Sequence, residues 1–224
     1  MEVMDVVEAI KARKSIRMYK PDPVPKKIMK EVLDIATRAP SSMNSQPWEF
    51  TVIAGDVLEK IKKANVEMLN SGATTSPDAS SKPFAGDYRQ RQVDLAIELF
   101  RLMGIGREDK EKRAEWTRRG FRFFDAPAVI IISMDRSLDE GRPQFDIGAI
   151  SQTIALAALK YGLGTCIQGQ GIMFPQVVRK YAGIPDSKRM IICITIGYPD
   201  ATFPANKIET KRVPADKITT WCGI

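Results

Sequence analysis

The chain has 224 residues, with a formal charge of +7 from 34 Lys and Arg against 27 Asp and Glu, and it contains no histidine. The absence of histidine excludes Ser-His-Asp and Cys-His nucleophiles, His-ligated zinc sites and His acid–base catalysis near neutral pH. Any chemistry must therefore come from carboxylates, Lys, Tyr or Cys, or from a bound cofactor such as a flavin or a nicotinamide.

The composition predicts one soluble globular domain, because 44% of the residues are apolar and 27% are charged. The longest apolar run, Ala126 to Met134, is far shorter than the roughly 18 residues that span a bilayer. The amino-terminal residues lack the pattern of a secretion signal, so a cytoplasmic location is expected. Three cysteines without a CxxC pair predict reduced thiols and no metal site.

In the first half of the chain, apolar spacing predicts mainly helices. The expected helices run from about Met4 to Lys14, from Lys26 to Ala39, and over about 57–69, 87–103 and 107–124. The segment WEFTVIA, residues 48–54, reads as a strand. Residues 71–87 are rich in Ser, Thr, Ala, Gly and Pro, which predicts a mobile loop.

The second half of the chain is expected to contribute the more densely apolar part of the core. Buried strands are expected at Ala128–Ser133 and Met190–Gly197, and a largely apolar helix at Asp146–Tyr161. A short helix opens at Pro175 and closes at Gly183. After Pro199 the periodicity ends, so the last 25 residues predict an extended arm that lies against another surface, such as a second subunit.

Two segments of the first half carry clustered polar side chains. A basic cluster of Lys11, Arg13, Lys14, Ser15 and Arg17 offers donors for a phosphate, or simply complements the dipole at a helix carboxyl end. The second segment, APSSMNSQPWEF, is either a turn that reaches a polar ligand or an ordinary turn with capping side chains. Its polar side chains are Ser41, Ser42, Asn44, Ser45 and Gln46.

Two further segments of the second half are candidates. The glycine-rich segment YGLGTCIQGQG, residues 161–171, is not a dinucleotide fingerprint, because Ile167 stands where a third glycine is needed. Its glycines allow either close backbone approach to a flat heterocycle or a tight helix-to-strand connection. The late basic residues Lys207, Lys211 and Arg212 bind an anion or are simply solvated.

Taken together and in this order, these segments resemble the FMN-dependent nitroreductase family, which also contains flavin reductases and related dehalogenating enzymes. The resemblance covers nearly the whole chain. It implies an α+β, nitroreductase-like fold of one domain over 1–224, with a central mixed sheet flanked by helices. It also implies a helical excursion over the flavin at about 88–123 and a homodimer wrapped by an arm at about 200–224. The matching segments are RKSIRMY, APSSMNSQPW, DAPAVIII, IGAISQTIALAALKYGLGTC, ITIGYP and the basic pair before Val213.

The same resemblance implies the residues that bind FMN. The residues expected to bind the FMN phosphate are Arg13, Lys14, Ser15 and Arg212, with Lys211 beside them. Arg17 is expected to contact the pyrimidine edge of the flavin. Pro40, Ser41, Ser42 and Asn44 reach the FMN of the other subunit. Gln168, Gly169, Gln170 and Gly171 line the isoalloxazine and give a backbone N–H to N5. Family members often have Asn and Lys before the DAP strand, where this chain has Arg119 and Arg122, and Arg122 becomes a candidate for the charge near the reduced ring.

The implied activity is hydride transfer from NAD(P)H through flavin N5 to a nitroaromatic or quinone-like acceptor, in a ping-pong order and without a catalytic side chain. Alternatives are reductive dehalogenation, flavin reduction, or a non-catalytic basic homodimer that binds nucleic acid. The leading hypothesis needs neither nucleic acid nor a membrane. Aromatic residues of the excursion either stack on the acceptor or pack in the core. They are Phe100, Trp116, Phe121, Phe123 and Phe124.

Overall fold

A computed structural model of the chain describes residues 5–79 and 82–224. Within these ranges four strands form one sheet in the order β1-β2-β4-β3, and each pair of neighbours is antiparallel. A parallel pairing is added at the outer edge of β3, where Ser15 forms an isolated bridge with Thr165. The strands are β1 (Glu49–Ala54), β2 (Ala128–Asp135), β3 (Gly164–Gln168) and β4 (Lys188–Gly197).

Seven α-helices lie within the described residues, and the helices predicted from apolar spacing are all present. Met4, the predicted start of the first helix, lies outside the described residues. Pro175 begins the last helix and Gly183 closes it with a φ of 70°, as expected for a left-handed cap. The helices are α1 (Val6–Ala12), α2 (Lys26–Ala36), α3 (Gly55–Asn70), α4 (Gly86–Leu102), α5 (Lys110–Phe121), α6 (Arg142–Leu159) and α7 (Pro175–Ala182).

The sheet lies between two layers of helices, and β2 shows why. Ile130 and Ile132 of β2 belong to the core formed with α2 and α6, whereas Val129 and Ile131 belong to the core formed with α3 and α7. Successive strand residues point to opposite faces, so a strand covered on both sides must be apolar throughout. The uninterrupted apolar run that predicted this strand is the consequence of that double burial.

Two predicted connections differ from the structure. The glycine-rich segment 161–171 contains the strand β3, which the sequence did not predict because five residues at a sheet edge show little alternation. The helix predicted to run to Phe124 ends at Phe121. A left-handed turn over residues 123–125 terminates it, with φ between 52° and 58°.

The loop at 71–87, predicted to be mobile, is anchored near its middle. The carboxylate of Asp78 is ion-paired with Arg179, and it accepts a hydrogen bond from Arg136 at 2.6 Å and one from the backbone N–H of Met190 at 3.0 Å. Ser76 N–H donates to the carbonyl of Met173 at 3.1 Å. Ser76 and Asp78 are therefore fixed to the end of the sheet, and residues 80 and 81 of the predicted loop lie outside the described residues.

The predicted helical excursion consists of α4 and α5, outside the three layers. Leu99 of α4 packs with Ala205 and Ile208, so the beginning of the carboxyl-terminal arm lies against the excursion of its own chain. Residues 209–224 are exposed. Within the described residues, the structure has no helix with the length and apolarity to cross a membrane.

The aromatic residues of the excursion divide into two groups. Phe121, Phe123 and Phe124 are buried in the core, which supports their packing role. Phe100 and Trp116 are half-buried and meet edge to face, with ring centroids 6.4 Å apart. This second pair remains accessible to a ligand.

Candidate functional site

The amino-terminal basic cluster lies along the edge of β3. Besides the Ser15 bridge, the Ile16 N–H donates to the carbonyl of Thr165 at 2.9 Å. Arg13, Ser15 and Arg17 alternate along this extended segment and therefore share one side. Burial raises the pKa of the Cys166 thiol, while Arg17, a hydrogen bond from Ser15, and Arg13 oppose that rise. Three of the predicted phosphate and pyrimidine residues are thus brought together next to Cys166.

Asn206 fixes the backbone of this cluster. Its side-chain oxygen accepts the Arg17 N–H at 2.7 Å, and its amide group donates to the carbonyls of Met18 and Asp200, each at 2.8 Å. The side chain is buried. Sequence reasoning missed Asn206, because an isolated Asn in a segment without periodicity carries no signal of a contact with residue 17.

Arg119 and Arg122 have different surroundings. Arg122 is hydrogen-bonded to Asp125 at 2.9 Å and to Glu115 at 2.8 Å, and these carboxylates raise its pKa. Arg119 donates to the carbonyl of Arg17 at 2.9 Å, and burial lowers its pKa. Arg119 also pairs with Asp125, at 3.0 Å. The two guanidinium groups differ in their second partner, which is the Glu115 carboxylate for Arg122 and the Arg17 carbonyl of the cluster for Arg119. The predicted role of Arg122 beside a cofactor stays a prediction.

The glycine-rich bend after β3 has one packed side and one open side. Gly171 is buried, and a Cβ there would overlap the ring of Phe123. A Cβ at Gly169, which is exposed, would meet nothing within 4 Å. The Gly171 N–H donates to the buried Gln168 side chain at 3.1 Å. Among the described residues, the N–H groups of Gly169 and Gln170 have no acceptor, so they are the free donors of the predicted set.

The polar turn at 40–46 lies against α6. The Ser42 N–H donates to the buried carboxylate of Asp146 at 3.1 Å, and the Gln46 N–H donates to the Ser41 hydroxyl at 3.0 Å. Met43, Asn44 and Gln46 all have positive φ, a strained conformation that clusters at functional sites. Pro40 and Asn44 are exposed, and the described hydrogen bonds of this turn do not reach the basic cluster.

The two late basic residues lie in the exposed arm. Arg212 donates to the Thr210 hydroxyl at 2.6 Å. The pKa of Glu98 on α4 is lowered by its hydrogen bond with Arg101 and, to a smaller extent, by Lys211. Lys211 therefore lies near the excursion.

Lys14 of the amino-terminal basic cluster is exposed and alternates with Arg13 and Ser15 along the extended segment.

A model of the nitroreductase family matches residues 10–198. The chain belongs to the nitroreductase family. The resemblance read from the sequence motifs is thereby confirmed. The matched range contains the basic cluster, the polar turn and the glycine-rich bend, whereas Asn206, Lys211 and Arg212 lie beyond it.

Several members of the nitroreductase family are similar over nearly their whole length. A chloronitrobenzene nitroreductase of Comamonas testosteroni is 32% identical over 217 residues, which cover 96% of this chain and 95% of that protein. A 4-nitrobenzoate reductase of Nocardioides sp. (strain LMS-CY) is 30% identical over 99% of this chain and 90% of its own length. The crystal structure of an FMN and NADPH-dependent nitroreductase, NfnB from sphigopyxis sp. strain HMH, superimposes with a TM-score of 0.94 at 27% identity, covering 99% of this chain and all of that one.

Proposed function

We propose that this nitroreductase-family protein binds FMN and transfers hydride from NAD(P)H to a nitroaromatic or quinone-like acceptor. The observation that carries the proposal is the bridge between Ser15 and Thr165. It joins a cluster of phosphate donors to the strand that leads into the glycine-rich bend. The names of the similar proteins, a chloronitrobenzene nitroreductase and a 4-nitrobenzoate reductase, favour a nitroaromatic acceptor over a halogenated phenol or free flavin.

The donor set fits FMN. Arg13 and Ser15 supply cationic and hydroxyl donors at one end, as a phosphate requires, and Arg17, two residues beyond Ser15, is the donor for the pyrimidine edge of the ring. Four residues farther along β3 from Thr165, or about 13 Å at the usual rise of a strand, Gly169 begins the open side of the bend. The free N–H groups there suit the edge of a flat heteroaromatic ring. FMN supplies a ring that accepts hydride from NAD(P)H and returns the electrons to an acceptor.

The residues of the chain then act by binding and by charge. The amides of Gly169 and Gln170 orient the ring, and the positive charge of Arg17 favours the negative charge that develops on reduction. No side chain needs to serve as acid or base, which agrees with the absence of histidine. Because donor and acceptor use the same place in turn, we expect ping-pong kinetics.

The proposal includes a homodimer, in which the 40–46 turn of one subunit reaches the cofactor of the other. Its support is unpartnered apolar surface in the described chain. Val6, Val7 and Ile10 of α1 are all about half exposed or more, Phe145 of α6 is 81% exposed, and Met43 is 97% exposed. Burying such patches is the usual driving force of subunit association. Sedimentation equilibrium is expected to give twice the chain mass, and a monomer would contradict this part of the proposal.

The direct test of function is stopped-flow kinetics on FMN-loaded protein. We expect NADPH or NADH to bleach the flavin absorbance, and a nitroaromatic such as 4-nitrobenzoate to restore it faster than a halogenated phenol or free flavin does. Double-reciprocal plots of initial rate against NAD(P)H concentration, taken at several acceptor concentrations, are expected to give parallel lines, as ping-pong kinetics require. A protein that remains colourless after incubation with FMN would overturn the proposal, and salt-dependent DNA binding would then favour the non-catalytic alternative.

Arg13→Ala is expected to raise the dissociation constant of FMN by about ten- to a hundredfold, because a charge-assisted hydrogen bond to phosphate contributes about 1.5–3 kcal/mol. Fluorescence titration of free FMN measures it. Lys27→Ala is the control, since it removes a positive charge from an exposed side chain of α2 outside the basic cluster, and it is expected to leave the FMN affinity unchanged. Equal affinities in the Arg13 variant and the parent would remove Arg13 from the site.

A further inference from the structure

The glycine-rich bend rests on an unusual turn between α5 and β2. Phe123, Phe124 and Asp125 have φ values of 57°, 52° and 58°. Three successive residues other than glycine in the left-handed region are strained, and such a conformation persists only where the surrounding structure holds it. The turn is therefore imposed by its contacts rather than by local preference.

Two buried polar side chains of α3 hold the ends of this turn. Asn65 donates from its amide group to the carbonyl of Phe121 at 3.1 Å, just before the turn. The Lys62 ammonium donates to the carbonyl of Ala126 at 2.9 Å, just after it. Both side chains are buried, and Asn65 is completely so. Because one helix carries both donors, the turn has a fixed position relative to α3.

The same turn and the end of α5 pack directly against the glycine-rich bend. The ring of Phe123 lies so close to Gly171 that no Cβ fits between them, and the side chain of Gln170 lies equally close to Gly120. Asn65 completes the connection, since its amide group also donates to the carbonyl of Gly171 at 2.9 Å. One amide group thus ties the end of α5 to the bend.

Asn65 also lowers the stability of the folded chain at this buried position. Its side-chain oxygen is buried without a hydrogen-bond partner in the described chain. A buried polar atom without a partner destabilises a protein, and an apolar side chain of similar volume would avoid that penalty. What Asn65 provides, and leucine would not, is a pair of directed donors to two carbonyls that belong to different segments.

We infer that Asn65 is a positioning residue, which sets the orientation of the free Gly169 and Gln170 N–H groups toward the flavin ring. The inference rests on the proposed function. The Gly171 carbonyl held by Asn65 lies one and two residues beyond those amides, and the Gly171 N–H is held by Gln168. The peptide planes on both sides of Gly171 are thus fixed. The next plane toward the amino terminus, which carries the Gln170 N–H, is held by its Gly169 carbonyl, which accepts the Ile172 N–H at 3.1 Å.

The test compares Asn65→Leu with the parent protein in three measurements: the dissociation constant of FMN, the midpoint potential of the bound flavin, and the unfolding free energy of the FMN-free chain. We expect the FMN dissociation constant to rise about tenfold and the midpoint potential to change, because the hydrogen bonds to the ring are misdirected. Phe123→Leu, which loosens the support under Gly171, is expected to change the potential in the same direction.

Two control variants separate positioning from general stability. Asn70→Leu makes the same substitution on the exposed end of α3 and is expected to leave all three quantities unchanged. Val32→Ala opens a cavity in the core on the opposite face of the sheet, so it is expected to lower stability while leaving the potential unchanged. If Asn65→Leu does not fold, Phe123→Leu carries the test.

The outcomes are distinct. Variants of Asn65 and Phe123 that lower stability but keep the parent's FMN affinity and midpoint potential would overturn the inference while leaving the proposed function intact. A parent protein that binds no FMN would overturn the proposed function, and this inference with it. The inference is supported if the midpoint potential of the bound flavin changes in both Asn65→Leu and Phe123→Leu and stays at the parent's value in Val32→Ala.

Discussion

Gly164→Ala is expected to lower the unfolding free energy by about 3 kcal/mol, the upper part of the range for overpacking a core, and to weaken FMN binding by at least about tenfold. A Cβ at this position would lie 2.5 Å from Cγ1 of Ile16 and 2.7 Å from Cγ of Pro199. Neither atom can move away easily, because Ile16 is buried and β-branched and the proline ring is rigid. The backbone that carries Ser15 and Arg17 must therefore move away from β3.

The measurements are urea unfolding of the FMN-free chain and fluorescence titration with FMN. Gly148→Ala is the matched control, because a Cβ there meets nothing within 4 Å and the residue lies in the helix α6. That control is expected to be neutral or to stabilise by up to about 1 kcal/mol. A Gly164 variant with the parent's stability and FMN affinity would show that the contact between the basic cluster and β3 is not close-packed.

The fold could be predicted where burial shapes the residue pattern. The strand β2 is covered on both faces and reads as a continuous apolar run, and the amphipathic α2 shows helical spacing because one face packs on α6. The short edge strand β3 was missed, because its five residues carry two polar side chains and a glycine. The left-handed turn at 123–125 was missed for another reason: its conformation is set by donors on α3 that are about 60 residues away in sequence.

Some residues of the candidate site could likewise be predicted from the sequence, and others could not. Arg13, Ser15 and Arg17 could be singled out because basic residues and a serine cluster within a few positions there, in a segment that resembles the family's RKSIRMY region. Their extended conformation could not, since the sequence predicted a helix through Lys14. Asn206 could not, since its partner Arg17 lies 189 positions away and nothing near it marks a contact. For Arg119 and Arg122 the residue types alone do not separate the two roles. Asp125 pairs with both arginines, so the separation depends on their second partners: the Glu115 carboxylate for Arg122 and the Arg17 carbonyl for Arg119.

Asp78→Ala is expected to lower the unfolding free energy by about 3–5 kcal/mol, the usual cost of breaking a buried ion pair from one side. Asp78 is 9% exposed and its main partner, Arg179, is 13% exposed, so removing the carboxylate leaves a largely buried guanidinium with only the fully exposed Asp186 as counter-charge. The hydrogen bonds from Arg136 and from the Met190 N–H are lost at the same time. Because Asp78 anchors the 71–87 loop, residues near it are also expected to become sensitive to proteolysis.

Asp186→Ala is the matched control, since Asp186 pairs with the same Arg179 at 3.5 Å but is 99% exposed. Exposed pairs contribute about 0–1 kcal/mol, so this variant is expected to unfold within about 1 kcal/mol of the parent. Asp78→Asn is expected to lie between the two, because it keeps the shape and an acceptor but loses the charge. Urea unfolding and limited trypsin digestion measure the series. Equal stability of the Asp78→Ala and Asp186→Ala variants would mean that the loop is not fixed by this ion pair, because burial is the physical difference between the two carboxylates.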